Sequence, residues 1–263
     1  MSEIDEIRRD LIAEQDALDD IVSELRAEQW ALATPSAGWD VGDQIGHLTY
    51  FDGTAAQAIS DPDAFGAGMK ELFEAASRGL DDATLGTFRR MTSAHRLAAW
   101  RKNRLVLAEA SLSLSESERV IWYGPSMGAK SFLTARLMEV WAHGTDIVDT
   151  VGVTRAPTDR LRHIAQLGYI TRRWSYGVRG LNAPDTDVAL SLIGPNGDKW
   201  SWGSNDASDE VSGSAEEFCL VVTQRRHLDD TSLVYSPAAR EWLLIAQAFA
   251  GGATDGPAPR TTT

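Results

Sequence analysis

Residues 131–151 read SFLTARLMEVWAHGTDIVDTV, and the apolar members of this run fall on almost every side of a helical wheel. A helix apolar around its whole circumference lies inside a domain rather than on its surface, so the segment predicts a buried helix of a bundle. Phe132, Leu133, Leu137, Met138, Val140, Trp141 and Ile147 supply that character, yet Glu139 and His143 sit among them. These two are four residues apart and project from one face, about a turn from each other. A carboxylate in an apolar interior costs several kcal/mol unless it is neutralised, paired or bound to a metal. Arg136, one turn earlier, is one candidate partner, and a plain Arg136–Glu139 pair would leave His143 an ordinary core histidine. A shared metal ion is the other.

The segments before this helix are also helical. Residues 3–30 place Ile4, Ile7, Leu11, Leu18, Ile21, Val22 and Leu25 on one stripe. After the breaker ATPSAGWD, Asp40 is placed to cap a helix, VGDQIGHLTYFDGTAAQAI, that runs to about Ser60. Asp61-Pro62 ends it, short helices are expected through residue 80, and TLGTFRRMTSAHRLAAWRKNRLVLAEASL reads as one further long helix. The loop YGPSMGAKS precedes the opening segment; its Ser126 lacks the spacing of a phosphate-binding loop. A helix over about 159–176 completes the expected bundle.

His47 lies mid-helix near Val41, Ile45, Leu48 and Phe51, facing the same interior as Glu139 and His143. Packing the two helices side by side brings His47, Glu139 and His143 together. Two neutral imidazoles and one carboxylate form a facial set for a divalent ion with open positions left over, which suits a catalytic site; closed structural sites use four ligands, often cysteines. Asp43 and Asp146, one turn from His47 and His143, are placed to accept an imidazole N–H, although solvated carboxylates are the simpler reading. His95, His163 and His227 each adjoin arginines and read as surface or satisfied core residues.

Composition bounds the rest. The 263 residues carry 25 Lys plus Arg against 38 Asp plus Glu, a formal charge of −13. Without a basic face, nucleic acid and anionic membrane are not expected as partners. No apolar stretch approaches the roughly 20 residues of a membrane span, and the acidic start MSEIDEIRRD is unlike a signal peptide. A cytoplasmic location is the expectation. The single cysteine, Cys219 in EEFCLVVTQ, agrees with a reducing compartment and reads as a buried core thiol.

The pattern changes after residue 180. DVALSLIG and DKWSWG alternate like strands, and Pro-Asn-Gly-Asp between them predicts a hairpin because Asn and Gly accept the positive φ of tight turns. Trp200 and Trp202 share one side of it, as core or as a pocket wall. GSAEEFCLVVTQRRH and PAAREWLLIAQAFA read as helices. The expected organisation is a helical bundle over 1–180, a small α+β domain over 181–251 and a disordered Gly/Pro/Thr tail over 252–263.

The pattern W-D-x-x-D-x-x-x-H-L, followed about ninety residues later by E-x-x-x-H-x-x-D, resembles the DinB/YfiT-like metalloprotein superfamily. It is most similar to the mycothiol-dependent maleylpyruvate isomerase branch of actinobacteria. GSAEEFCLVVTQRRHLDD resembles that branch's small C-terminal domain. The resemblance implies a four- to five-helix bundle holding a divalent metal, most often zinc with nickel, iron or manganese as alternatives, on His47, Glu139 and His143. It also implies mycothiol as a thiol cofactor activated for attack on a small electrophilic substrate, in thiol transfer or isomerisation. A functional arginine is implied at Arg225, with Arg226 adjacent. A metal-binding protein without turnover and a hydrolase using an ion-bound water remain the alternatives.

Overall fold

The computed structural model describes residues 2–76, 79–204 and 206–260. The chain forms two compact units, residues 1–154 and 155–263. The first contains α1 (Glu3–Ser23), α2 (Val41–Ser60), α3 (Pro62–Ala76), α4 (Leu80–Arg89), α5 (Ser93–Ser111), the short antiparallel pair β1 (Arg119–Val120) and β2 (Met127–Gly128), and α6 (Ala129–Val151). A 3-10 turn, Ala27–Ala31, follows α1.

Local chemistry sets these boundaries. Ser2 and Asp5 reciprocally cap the first turn of α1, which buries Ile4, Ile7, Leu11, Leu18 and Val22. Asp40 caps α2, its carboxylate accepting from the Asp43 amide at 2.7 Å. Gly152, in the left-handed region at φ 71°, closes α6. The helix expected across 84–112 is two. Thr92 caps α5 by accepting from the His95 amide, and the chain turns between α4 and α5 without glycine or proline to announce it.

α2 packs against α5, α4, α6 and α3, while α1 packs against α6. At the α2–α5 contact, a Cβ on Gly42 would lie 1.5 Å from Nη1 of Arg96, so a larger residue there would displace the end of that side chain. α6 buries sixteen residues over its 23, as its all-round apolar pattern predicts.

The second unit holds α7 (Leu161–Ile170), α8 (Arg172–Gly177), β3 (Val188–Ile193), β4 (Lys199–Trp202), β5 (Asp209–Ser214), α9 (Ala215–Val222), β6 (Val234–Tyr235) and α10 (Pro237–Leu244). The β3–β4 hairpin has Leu192 opposite Trp200 and turns through Gly197 at φ 87°. Trp200 is buried, and its ring lies where a Cβ on Gly194 would stand. β5 runs parallel to β3 and pairs with β6, giving the sheet order β4-β3-β5-β6.

The helix expected at 159–176 breaks at Thr171 into α7 and α8, and within this unit α7 packs on α9, with Gly168 against Val222. Cys219 is fully buried, its thiol donating to the Leu161 carbonyl at 3.5 Å. Burial, then the nearby Glu216, pushes that thiol well above its ordinary pKa. The tail is exposed and has no helix or strand over 252–260, but it is tethered. Thr254 donates to Gln224 at 2.8 Å, and the Arg260 amide donates to Asp230 at 3.0 Å. Among the described residues, no helix is long and apolar enough to cross a membrane.

Candidate metal centre

His47 reaches inward from α2, and Glu139 and His143 from α6. His47 Nε2 lies 3.2 Å, and His143 Nε2 3.1 Å, from the same oxygen, Oε2 of Glu139. One donor atom from each residue falls within 4.8 Å of the others, close enough for all three to ligate a single ion. The side chains are 17%, 21% and 10% exposed for His47, Glu139 and His143, so the cluster sits at the edge of the core with one side open.

Arg136 does not answer Glu139. Its Nη2 donates to Oδ1 of Asp52 at 3.2 Å, with both side chains almost wholly buried. Asp52 also accepts from Gln15 Nε2 at 3.1 Å and from Trp100 Nε1 at 3.2 Å, so that acid is closed off by donors. Among the described residues, the polar partners of the Glu139 side chain are the two histidines. Burial pushes the Glu139 carboxyl up. The hydrogen bonds and charge of His143 and His47 outweigh it and hold the group well below the usual carboxylate range.

A relay orients the His143 ring. The Thr34 hydroxyl donates to the Trp39 carbonyl at 3.0 Å, so its oxygen accepts from Nε2 of Gln44 at 2.8 Å. That leaves Gln44 Oε1 facing His143 Nδ1. An amide oxygen accepts only, so Nδ1 carries the hydrogen and Nε2 points to Glu139. Gln44 was not singled out from the sequence, where Asp43 and Asp146 were the nearer candidates. Asp43 instead pairs with Arg89 at 2.8 Å. Asp146 accepts from Ser36 at 3.1 Å and stays 3.9 Å from His143 Nδ1.

Aromatic rings wall the centre. Trp39 lies 5.1 Å from the His47 ring and stacks 5.9 Å from His143, and Phe51 lies 4.5 Å from His47. Trp39 Nε1 donates to Asp81 at 2.8 Å. The signal for Trp39 was its place in the GWD stretch before the helix cap.

Arg225 and Arg226 belong to the second unit, where they follow Gln224 in a left-handed conformation at φ 59°. Arg225 Nη1 donates to the Thr223 carbonyl, and Arg226 Nη1 to the Arg225 carbonyl, both at 2.7 Å. His95 contacts its own capping residue Thr92 at 3.0 Å, and His227 Nδ1 accepts from the Asp229 amide at 3.1 Å.

The donor set fits a divalent cation. Two nitrogens and a carboxylate oxygen converge, no arginine among the described residues pairs with the acid, and the Nδ1 hydrogen of His143 is turned away from the centre.

Comparison with known proteins agrees on the framework. Residues 11–148 match the model of the mycothiol maleylpyruvate isomerase N-terminal domain. Over 247 residues the chain is 45% identical to uncharacterized proteins from two strains of Mycobacterium tuberculosis, covering 92% of this chain and 94% of each relative. Crystal structures of the mycothiol-dependent maleylpyruvate isomerase and of a histidine-to-alanine mutant of it align with a TM-score of 0.59. They share 15% identity over 89% of this chain and 93% of theirs, a likeness of fold. The family match spans both helices that carry the histidines and the acid, and this chain belongs to the mycothiol maleylpyruvate isomerase N-terminal domain family.

Proposed function

We propose that the protein is a divalent-metal-dependent enzyme in which a low-molecular-weight thiol, mycothiol by family, attacks a small electrophile, in thiol transfer or in isomerisation through a transient adduct. His47, Glu139 and His143 hold the ion. Zinc suits this donor set, and nickel, iron or manganese are accommodated by the same ligands. When bound, the ion supplies a positive charge that favours the thiolate, the nucleophilic form of a thiol, near neutral pH.

The chain's own residues do the remaining work. Glu139 contributes the negative charge that balances the ion. Gln44 holds the hydrogen of His143 on Nδ1 and so keeps the Nε2 lone pair available. Trp39 and Phe51 cover the imidazoles and limit the approach of water. Arg225, or its neighbour Arg226, is the arginine that assists turnover; position in VTQRRHLDD supports this assignment.

The carrying observation is the diversion of Arg136 to Asp52, which leaves a half-buried acid whose polar partners, among the described residues, are two imidazoles. Elemental analysis of the purified protein, with and without chelator, is expected to give one equivalent of metal. His47→Ala is expected to lose both that metal and the consumption of mycothiol with an electrophile, while its helical circular dichroism stays intact. A metal-free variant that still turns over refutes the reading.

A further inference from the structure

α5 carries large apolar side chains on two faces. Trp100 and Leu107 are buried, and the helix packs against α2, whereas Leu105 and Leu112 point outward and are 67% and 68% exposed. Single exposed leucines are ordinary on a protein surface. The placement of these two is not. Ala98, Leu105 and Leu112 recur at seven-residue intervals, which keeps them on one line along the helix, and all three are exposed. Lys102 and Glu109, also exposed, both stand about 40–60° to the same side of that line, at about 100° per residue. Arg101, on the other side, is committed to Asp19 of α1 at 2.7 Å.

These positions share a centre. Residues 98 and 112 are equidistant from 105, and the midpoint of 102 and 109 falls between 105 and 106. A two-fold axis perpendicular to α5, beside Leu105, reverses the helix direction but keeps each side chain on its own side of the line. It sets Leu105 against Leu105 of a second copy, the small Ala98 against the large Leu112, and Lys102 against Glu109. The last two pairings each occur twice. Small against large lets the helices run at nearly constant separation, and opposite charges meet along one edge. A parallel pair would instead set each charge beside its own copy.

We infer that this face of α5 is the contact surface for a second copy of the chain, in an antiparallel two-fold dimer. The inference is independent of the metal centre and of the proposed reaction. α5 spans about 28 Å, and one helix pair of that length covers less than the roughly 800 Å² per partner of a standard interface. The association is therefore weak and reversible, with a dissociation constant on the order of 10–100 µM.

Sedimentation velocity of the full chain from about 5 to about 500 µM, which brackets that constant, is expected to show monomer giving way to dimer. Leu105→Glu keeps the chain monomeric across the range. Its helical circular dichroism and thermal midpoint match the wild type, because the side chain it replaces is mostly exposed. Lys102→Glu and Glu109→Lys, made singly, each bring like charges together twice and weaken the dimer by at least about tenfold at low salt. The double variant exchanges the two charges without changing the pattern, and restores the wild-type constant.

A wild-type chain that stays monomeric at the top of the range overturns the inference and leaves the face to a different partner. A dimer indifferent to Leu105→Glu overturns it as well, since such a dimer forms through another surface. So does a double variant no tighter than the single ones, which places the two charges outside the contact.

Discussion

Asp52 and Glu139 stand on neighbouring helices of the same bundle, and each is an acid set among apolar side chains. Asp52 is enclosed by Arg136, Gln15 and Trp100, three donors supplied by three other helices. Glu139 has two imidazoles on one oxygen and an open side. The first arrangement satisfies the charge within the protein and belongs to the fold. The second satisfies it with groups that also ligate metals. One turn of α6 separates Arg136 from Glu139, so a small axial displacement distinguishes a structural acid from a candidate metal ligand.

If that contrast is correct, removing the two acids has different consequences. Asp52→Ala strands the buried Arg136 guanidinium and is expected to destabilise the fold by about 3–5 kcal/mol, read from denaturant midpoints. Replacing the pair together, Asp52→Leu with Arg136→Met, is expected to recover most of that loss. Glu139→Gln in metal-free protein is expected to cost about 1 kcal/mol or less, since the amide still bonds to an imidazole.

Metal addition separates the sites next. Zinc at a hundred times its dissociation constant is expected to stabilise the wild-type protein by about 2.7 kcal/mol, seen as a higher Tm. His143→Ala removes the shift. If that variant gains stability from zinc as the wild type does, the ion binds elsewhere. Gln44→Leu retains all three ligands but loses the acceptor at His143 Nδ1, and is expected to weaken zinc binding by about 10–100-fold in a competition titration.

The smallest effect concerns the protein's own thiol. Cys219→Ala is expected to leave turnover unchanged and cost about 1 kcal/mol of stability. Native Cys219 is expected to resist alkylation until the protein unfolds, because burial raises its pKa and shields it.

Much of the bundle was legible because its signals are local. The Asp40 cap and the Asp61-Pro62 breaker bound α2, which spans Val41–Ser60 as read. The Pro-Asn-Gly-Asp turn located the β3–β4 hairpin. Long-range pairing was not legible in the same way: β5 joins the sheet through a parallel partner, and the two-residue β6 pairs at its edge. α7 has a clear apolar stripe, but a stripe names no partner, and within the second unit α9 packs on it. For the candidate site, spacing along each helix brought out His47, Glu139 and His143. Gln44 was missed because an uncharged amide on a helix carries no chemical signature until its partner across the gap is known.

The Thr34–Gln44 relay bears on what the centre can distinguish. One hydroxyl, in the segment between α1 and α2, determines which way a glutamine amide faces and through it which nitrogen of His143 looks inward. The ring is therefore held in one orientation, and on the proposed metal-binding reading every cation would meet the same lone pair. On the same reading, discrimination among zinc, nickel, iron and manganese would fall to the cell's supply of each and not to the polypeptide.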